Sequence, residues 1–275
     1  MSLFAGKILP KSAVEIEKIR ESSIIVSKTL ALMAKMLKPG ITGLELDAAA
    51  EQFILDQGGK PAFKGYRGFG YSLCISLNDA VVHGIPSDRP LKSGDVISVD
   101  CGVEKNGYFG DSAYTFGLGE IAPDVAKLIR VTHESLYKGL EFARANCRIG
   151  DISFAIQQHT EKAHNYGVVR DLVGHGIGSH LHEPPDVPNF GKRGNGLKLQ
   201  ENWTIAVEPM INQGSREVYQ HRDKWTILTR DKMPSAHFEH TVRIGAEKVE
   251  TLSDHSFIET EIKNNPEIAN ISINI

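Results

Sequence analysis

The chain has 275 residues, 41 % of them hydrophobic and 24 % charged, with a formal net charge of −3. That composition is ordinary for a globular protein with a sizeable core. It offers no basic footprint for nucleic acid, and no apolar run reaches the roughly 20 residues that cross a bilayer. The opening Met1-Ser2-Leu3-Phe4-Ala5 has neither a basic stretch nor a long apolar one, and Cys74, Cys101 and Cys147 lack Cys-x-x-Cys spacing. The expectation is a cytoplasmic protein with reduced thiols.

In chain order, Ser12-x-x-Glu15 is a capping box opening an apolar-rich helix that Lys38-Pro39-Gly40 stops. Thr42-x-x-Glu45 opens a second helix, ending at Gly58-Gly59. A glycine- and aromatic-rich loop then carries Phe63, Tyr66, Phe69 and Tyr71 toward a predicted strand over 72–78 and the run Val81-Val82-His83-Gly84-Ile85-Pro86. Two apolar-rich runs between Val96 and Phe116 flank Asn106-Gly107, a strong hairpin signal.

The second half follows the same order. A helix is predicted over 124–145 and a shorter one, capped by Asp151, toward Gly167. Strands are predicted over 168–173, 204–210, 226–229 and 237–244. Two passes of helix, helix and strands with no Pro/Ser/Gly linker imply one α/β (α+β) domain over 1–260. Its similar halves cover about 11–120 and 121–255, and a polar, Asn-rich tail covers 261–275.

In the hairpin, a two-residue turn sets Asp100 opposite Ala113, and Asp111 shares the parity of Ala113. Both carboxylates therefore project from one face as diagonal neighbours. Two such charges 4 Å apart repel by about 4 kcal/mol at an effective dielectric near 20, so a proton or a cation belongs between them. Solvated aspartates on an exposed hairpin are the bland alternative.

Three other stretches bear on that choice. His175 stands among Gly174, Gly176 and Gly178, while Glu208 and Glu239 are carboxylates at the ends of apolar runs. A buried carboxylate without a partner is costly. Singly, an arginine pair or a satisfied core histidine would explain each of them. Together, Asp100, Asp111, Glu208 and Glu239 balance two divalent cations, with neutral His175 completing the shell, and a water between the cations would be acidic enough to attack.

These residues lie within Val82-His83-Gly84-Ile85-Pro86, Gly174-His175-Gly176-Ile177-Gly178, His182-Glu183-Pro184, Glu208-Pro209-Met210, Trp225-Thr226 and Phe238-Glu239-His240-Thr241. From about Ile16 to Leu252 the set resembles the methionine aminopeptidases of peptidase family M24. The short interval from Glu208 to Glu239 and the lack of a Cys/His-rich extension are similar to the bacterial type 1 form.

The resemblance implies the "pita-bread" fold, two pseudo-symmetric halves around a curved antiparallel sheet. It also implies removal of the N-terminal methionine from nascent polypeptides when the second residue is small, by attack of a metal-bridging hydroxide. By motif match, Asp100 chelates one metal, Asp111 and Glu239 bridge both, and His175 and Glu208 complete the other. Glu208 also shuttles a proton, and His83 and His182 contact the scissile amide.

Phe63, Tyr66, Phe69, Cys74, Leu181 and Trp225 fall on the wall of the family's methionine pocket, which His83 and His182 border. Leu181 stands where an aromatic is expected, Phe69 where tyrosine is common and His237 where glutamine is usual. Carboxylate-rich ligation favours Mn(II), Fe(II) or Co(II), with zinc as a further option. The implied partners are nascent N-termini and the ribosome exit region, with no membrane and no specific nucleic acid, for a monomer.

Two readings compete. An Xaa-Pro dipeptidase or aminopeptidase P-like enzyme shares the site, although the residues before Asp100 leave no room for that class's separate N-terminal domain. A catalytically inactive binding protein on the same fold is the other, and the complete ligand set argues against it. Gly-x-Ser-x-Gly and His-Glu-x-x-His are both absent, which disfavours a serine hydrolase and a zincin. Gly174-x-Gly-x-Gly lacks the spacing of a phosphate loop.

Overall fold

Ser12 and Thr42 open the first two helices as their capping boxes predict, each side chain accepting from the backbone three residues on. The computed structural model describes residues 8–271. The helices are α1 (Ala13–Met36), α2 (Gly43–Asp56), α3 (Pro123–Leu140), α4 (Ile149–Gln157) and α5 (Ser256–Asn264).

α1 buries Ile19, Val26, Leu30 and Met33 together with small polar residues. The hydroxyls of Ser23, Ser27 and Thr29 donate to the carbonyls of Ile19, Ser23 and Ile25, so these side chains are buried with partners. Gly110 faces the Ser23 backbone, where a side chain would collide, and this lets α1 lie close against the strand beneath it.

That strand, Tyr108–Gly117, pairs along its whole length with Val96–Lys105, and Asp100 is registered with Ala113 as the turn rule requires. Asn106 and Gly107 both take positive φ, 55° and 78°, which gives the ribbon its two-residue turn. Leu73–Leu77 and Lys60–Pro61 extend the sheet beyond Val96–Lys105. In the second half the order of the five-stranded sheet is Glu250–Thr251, His240–Arg243, Thr204–Val207, Gly174–Gly176, Glu183–Val187. All pairings between these strands are antiparallel.

The halves are joined by hydrogen bonds rather than by packing alone. Thr115 Oγ1 donates to the His237 carbonyl (2.7 Å) and accepts from the His237 amide (2.9 Å). Glu239 N donates to Ala113 O at 3.0 Å, and Thr241 Oγ1 donates to Asp111 O at 2.8 Å. The Asp111 strand and the Glu239 segment are thus held edge to edge.

Several sequence expectations need correction. The run 204–210 is two strands, Thr204–Val207 and Met210–Asn212, because Pro209 has no N–H to give a ladder. Likewise 237–244 splits into Ser235–His237 and His240–Arg243, and of 168–173 only Val168 is strand, in the pair Gly167–Val168. Asp151 sits in the first turn of α4 and accepts from the Arg148 amide, so Arg148 is the N-cap. α3 ends at Leu140, after which the chain turns to donate from Ala145 N to Gly245 O. Past Glu259, α5 continues to Asn264, and Asn265 Nδ2 donates to the Ala34 and Leu37 carbonyls at the end of α1. Ile268 is buried.

Candidate metal centre and substrate pocket

Glu208 and Glu239 stand in the two strand breaks just described. Val207 pairs with His240 and Met210 with His237, so both carboxylates leave the chain inside one gap between ladders. The ligating atoms of Asp111, His175 and Glu239 lie within 4.8 Å of one another, and all three residues are buried. Asp100 is within hydrogen-bonding reach of Asp111. Glu208 Oε1 is 3.6 Å from His175 Nε2. His175 Nδ1 is 2.9 Å from the Gly176 carbonyl, which fixes the ring and turns Nε2 toward the carboxylates.

The charge state of this cluster is set by burial. Desolvation raises the Asp100 carboxyl to about 7, against the pull of His237 and with Glu208 adding to it. Desolvation also raises Glu208 to about 7, opposed by His175. Asp111 and Glu239 are pushed well above the carboxylate range, by burial first and then by the neighbouring acids. Asp100 Oδ1, Asp111 Oδ1 and Glu239 Oε1 are buried without a hydrogen-bond partner. Oxygens so placed fit divalent cations, whose charge would replace the protons that burial otherwise demands.

His83 and His182 flank the acids. His83 adopts φ 57°, a left-handed conformation for a non-glycine residue. Gly84 follows it because a Cβ there would run into the Ile75 carbonyl. Burial and then His237 lower His83 to about 4. Burial, then His175, lowers His182 to about 3, and its ring stacks on Tyr66 at 5.2 Å between centroids. Both imidazoles are therefore neutral near pH 7.

A cavity of about 300 Å³ joins these groups to an apolar wall, and every site residue singled out from the sequence lines it. Phe63, Phe69, Cys74 and Leu181 are buried in one cluster, with Tyr66 and Trp225 packed against it. Phe69 and Trp225 meet edge to face at 5.1 Å, and Asp223 Oδ1 fixes Trp225 by accepting the amides of Trp225 and Thr226. The Leu181 and Phe69 departures keep this wall apolar.

Sequence reasoning did not single out Ile177, Arg67, Asp171 or Asp186. Ile177 is fully buried in the apolar cluster, and its place inside the glycine-rich His175 motif was the available signal. Arg67 lines the cavity with φ 50°, between Gly65 and Gly68 at 87° and 91°. That density of glycine was the clue to a shaped loop. Asp171 and Asp186 also line the cavity, and nothing local marks either.

Two buried and two half-buried carboxylates with a buried histidine, beside an apolar cavity, are the donor set of a metal-dependent hydrolase. The model of metallopeptidase family M24 matches residues 17–246. The chain belongs to that family. Within it, the chain sits with the methionine aminopeptidases of bacterial type. It is 49 % identical to the methionine aminopeptidase of Clostridium perfringens over 237 residues, 86 % of this chain and 95 % of that one. The crystal structure of the methionine aminopeptidase from Rickettsia prowazekii superposes with a TM-score of 0.88 at 38 % identity, covering 90 % of this chain and all of that one. Prolidase from Pyrococcus furiosus shares the fold alone, with a TM-score of 0.72 at 22 % identity, covering 90 % of this chain and 66 % of that one. These likenesses bear out the pita-bread expectation.

Proposed function

We infer that this chain is a metal-dependent aminopeptidase that removes N-terminal methionine from polypeptides whose second residue is small, using two divalent cations. The observation that carries the reading is the convergence of Asp100, Asp111, Glu208 and Glu239 with His175 at the end of an apolar cavity. Asp100, Asp111 and Glu239 would hold one cation, and Asp111, Glu239, His175 and Glu208 the other. Such cations supply Lewis-acid polarisation of the scissile carbonyl and acidify water near neutral pH.

The chain's own groups do the rest. Glu208 takes a proton from the attacking water and delivers it to the leaving amine, a role open to a carboxylate that lines the cavity beside His175. His83 and His182, neutral at pH 7, donate to the amide as its oxygen gains charge. Phe63, Tyr66, Phe69, Cys74, Leu181 and Trp225 receive the methionine side chain, and a cavity of about 300 Å³ admits one such residue. The wall is polarizable as well as apolar, which suits a thioether.

An assay of purified protein on Met-Ala-Ser and on Xaa-Pro peptides tests this, before and after chelation and Mn(II) or Co(II) readdition. Metal-dependent release of methionine is expected. Cleavage of the Xaa-Pro series alone would overturn the methionine assignment, and no cleavage of either would favour the inactive binding protein.

A further inference from the structure

Leu181 and His182 sit on a loop between the strands Gly174–Gly176 and Glu183–Val187, and a loop needs a reason to hold two side chains in place. Glu183 supplies part of it. Its Oε1 accepts from the His180 amide at 3.0 Å and from Ser179 Oγ at 3.1 Å, closing the turn just before His182. Its Oε2 accepts from Lys11 Nζ at 2.6 Å, across 172 positions of sequence.

This ion pair is well shielded, with side-chain exposures of 14 % for Lys11 and 16 % for Glu183. A shielded charge-assisted bond holds geometry far better than an exposed one. Lys11 is itself anchored by its backbone, whose amide donates to Asn202 O at 2.8 Å one residue before the Ser12 cap. Gly178 leaves the space the pair needs, since a Cβ there would lie 2.6 Å from Lys11 Nζ and 2.8 Å from Glu183 Oε1. The Gly178 carbonyl in turn accepts from Phe109 N at 2.9 Å.

We propose that Lys11 is a positioning residue for His182: its ammonium clamps Glu183 and so fixes the loop that presents Leu181 and His182 to the substrate. The inference rests on His182 contacting the scissile amide, as read above. Lys11 touches no reacting atom, and its effect passes through the loop.

The full chain loaded with Mn(II) is assayed on Met-Ala-Ser as wild type, Lys11→Met, Lys11→Arg, His182→Ala and the Lys11→Met/His182→Ala double variant. Manganese affinity is read by calorimetry. Lys11→Met is expected to lower kcat about tenfold, since misplacing a catalytic group by about 1 Å can cost a hundredfold. Its manganese affinity stays within about twofold, Lys11→Arg recovers most of kcat, and Lys11→Met costs nothing further once His182 is gone. Gly178→Ala, which displaces the ammonium from the other side, is expected to reproduce the loss if Lys11→Met folds poorly. Equal losses in both backgrounds, or full activity in Lys11→Met and Gly178→Ala while His182→Ala is impaired, would overturn the clamp and leave the aminopeptidase reading intact. Near-normal activity in His182→Ala would instead remove the role of His182, and the clamp with it.

Discussion

Glu208 and Glu239 project into the same opening between two antiparallel ladders, one closed by Val207 and His240 and the other by Met210 and His237. Glu208 and Glu239 are facing positions in this register, so both acids lie on one side, toward Asp100 and Asp111 on the opposing hairpin. Pro209 makes the gap unavoidable on one side, and the bonds from Thr115 and Ala113 hold the other.

Replacing Glu208 by Gln is expected to reduce kcat by about 10²–10⁴-fold, the range for losing a general acid–base group. The cavity is kept, because the amide has the shape of the acid. Steady-state kinetics on Met-Ala-Ser with saturating Mn(II) measures this, and turnover within a few-fold of wild type would remove Glu208 from proton transfer.

Cation binding should release protons and strengthen as pH rises. Asp100 and Glu208 hold protons up to about 7, and burial raises Asp111 and Glu239 in the same direction. A cation must displace them, so Mn(II) affinity gains about tenfold per pH unit for each proton released, between roughly pH 5.5 and 7.5. Calorimetry in buffers of different ionisation enthalpy counts these protons, and an affinity flat with pH would contradict the assignment.

The metal-free protein should lose stability as pH rises through about 7. Raised folded-state carboxyl pKa values favour the fold below the unfolded values near 4, and that advantage disappears as pH climbs through the folded ones. His83 and His182, lowered to about 4 and 3, act oppositely and cost stability only as pH falls below about 6.5. Chelated protein should therefore melt lower at pH 8 than at pH 6.5, and excess Mn(II) should cancel the difference. Calorimetric scans at the two pH values decide it.

Glu239→Gln should uncouple stability from metal. It removes a carboxyl that burial drives to stay protonated, so the chelated protein melts no lower than wild type, while the stabilisation by Mn(II) shrinks. A chelated variant that melts well below wild type would show that Glu239 holds the fold through contacts other than cations.

Leu181→Ala should widen the cavity and lower kcat/KM for Met-Ala-Ser about ten- to a hundredfold, the range for lost methylene contacts in an apolar pocket. Unchanged kcat/KM would place the methionine side chain elsewhere.

The sequence by itself determined the hairpin register, because Asn106-Gly107 admits positive φ and side chains alternate along a strand. Asp100 and Asp111 on one face followed from those facts alone. It also determined the starts of α1 and α2, since a capping box is a contact between residues three apart. Local setting and charge balance singled out His175, Glu208 and Glu239, and the family resemblance supplied their roles together with His83 and His182. Only the tertiary structure decided how these pieces meet. It split the strands at Pro209 and Phe238-Glu239, seated Asp111 against Thr241, placed Arg67 on the cavity wall and Ile177 in the apolar cluster behind it, and brought Lys11 to Glu183. The physical reason is range: turns and caps are settled by neighbours a few residues apart, whereas burial, charge and the closing of a gap belong to segments that lie from 27 residues (Met210 and His237) to 172 residues (Lys11 and Glu183) apart in the chain.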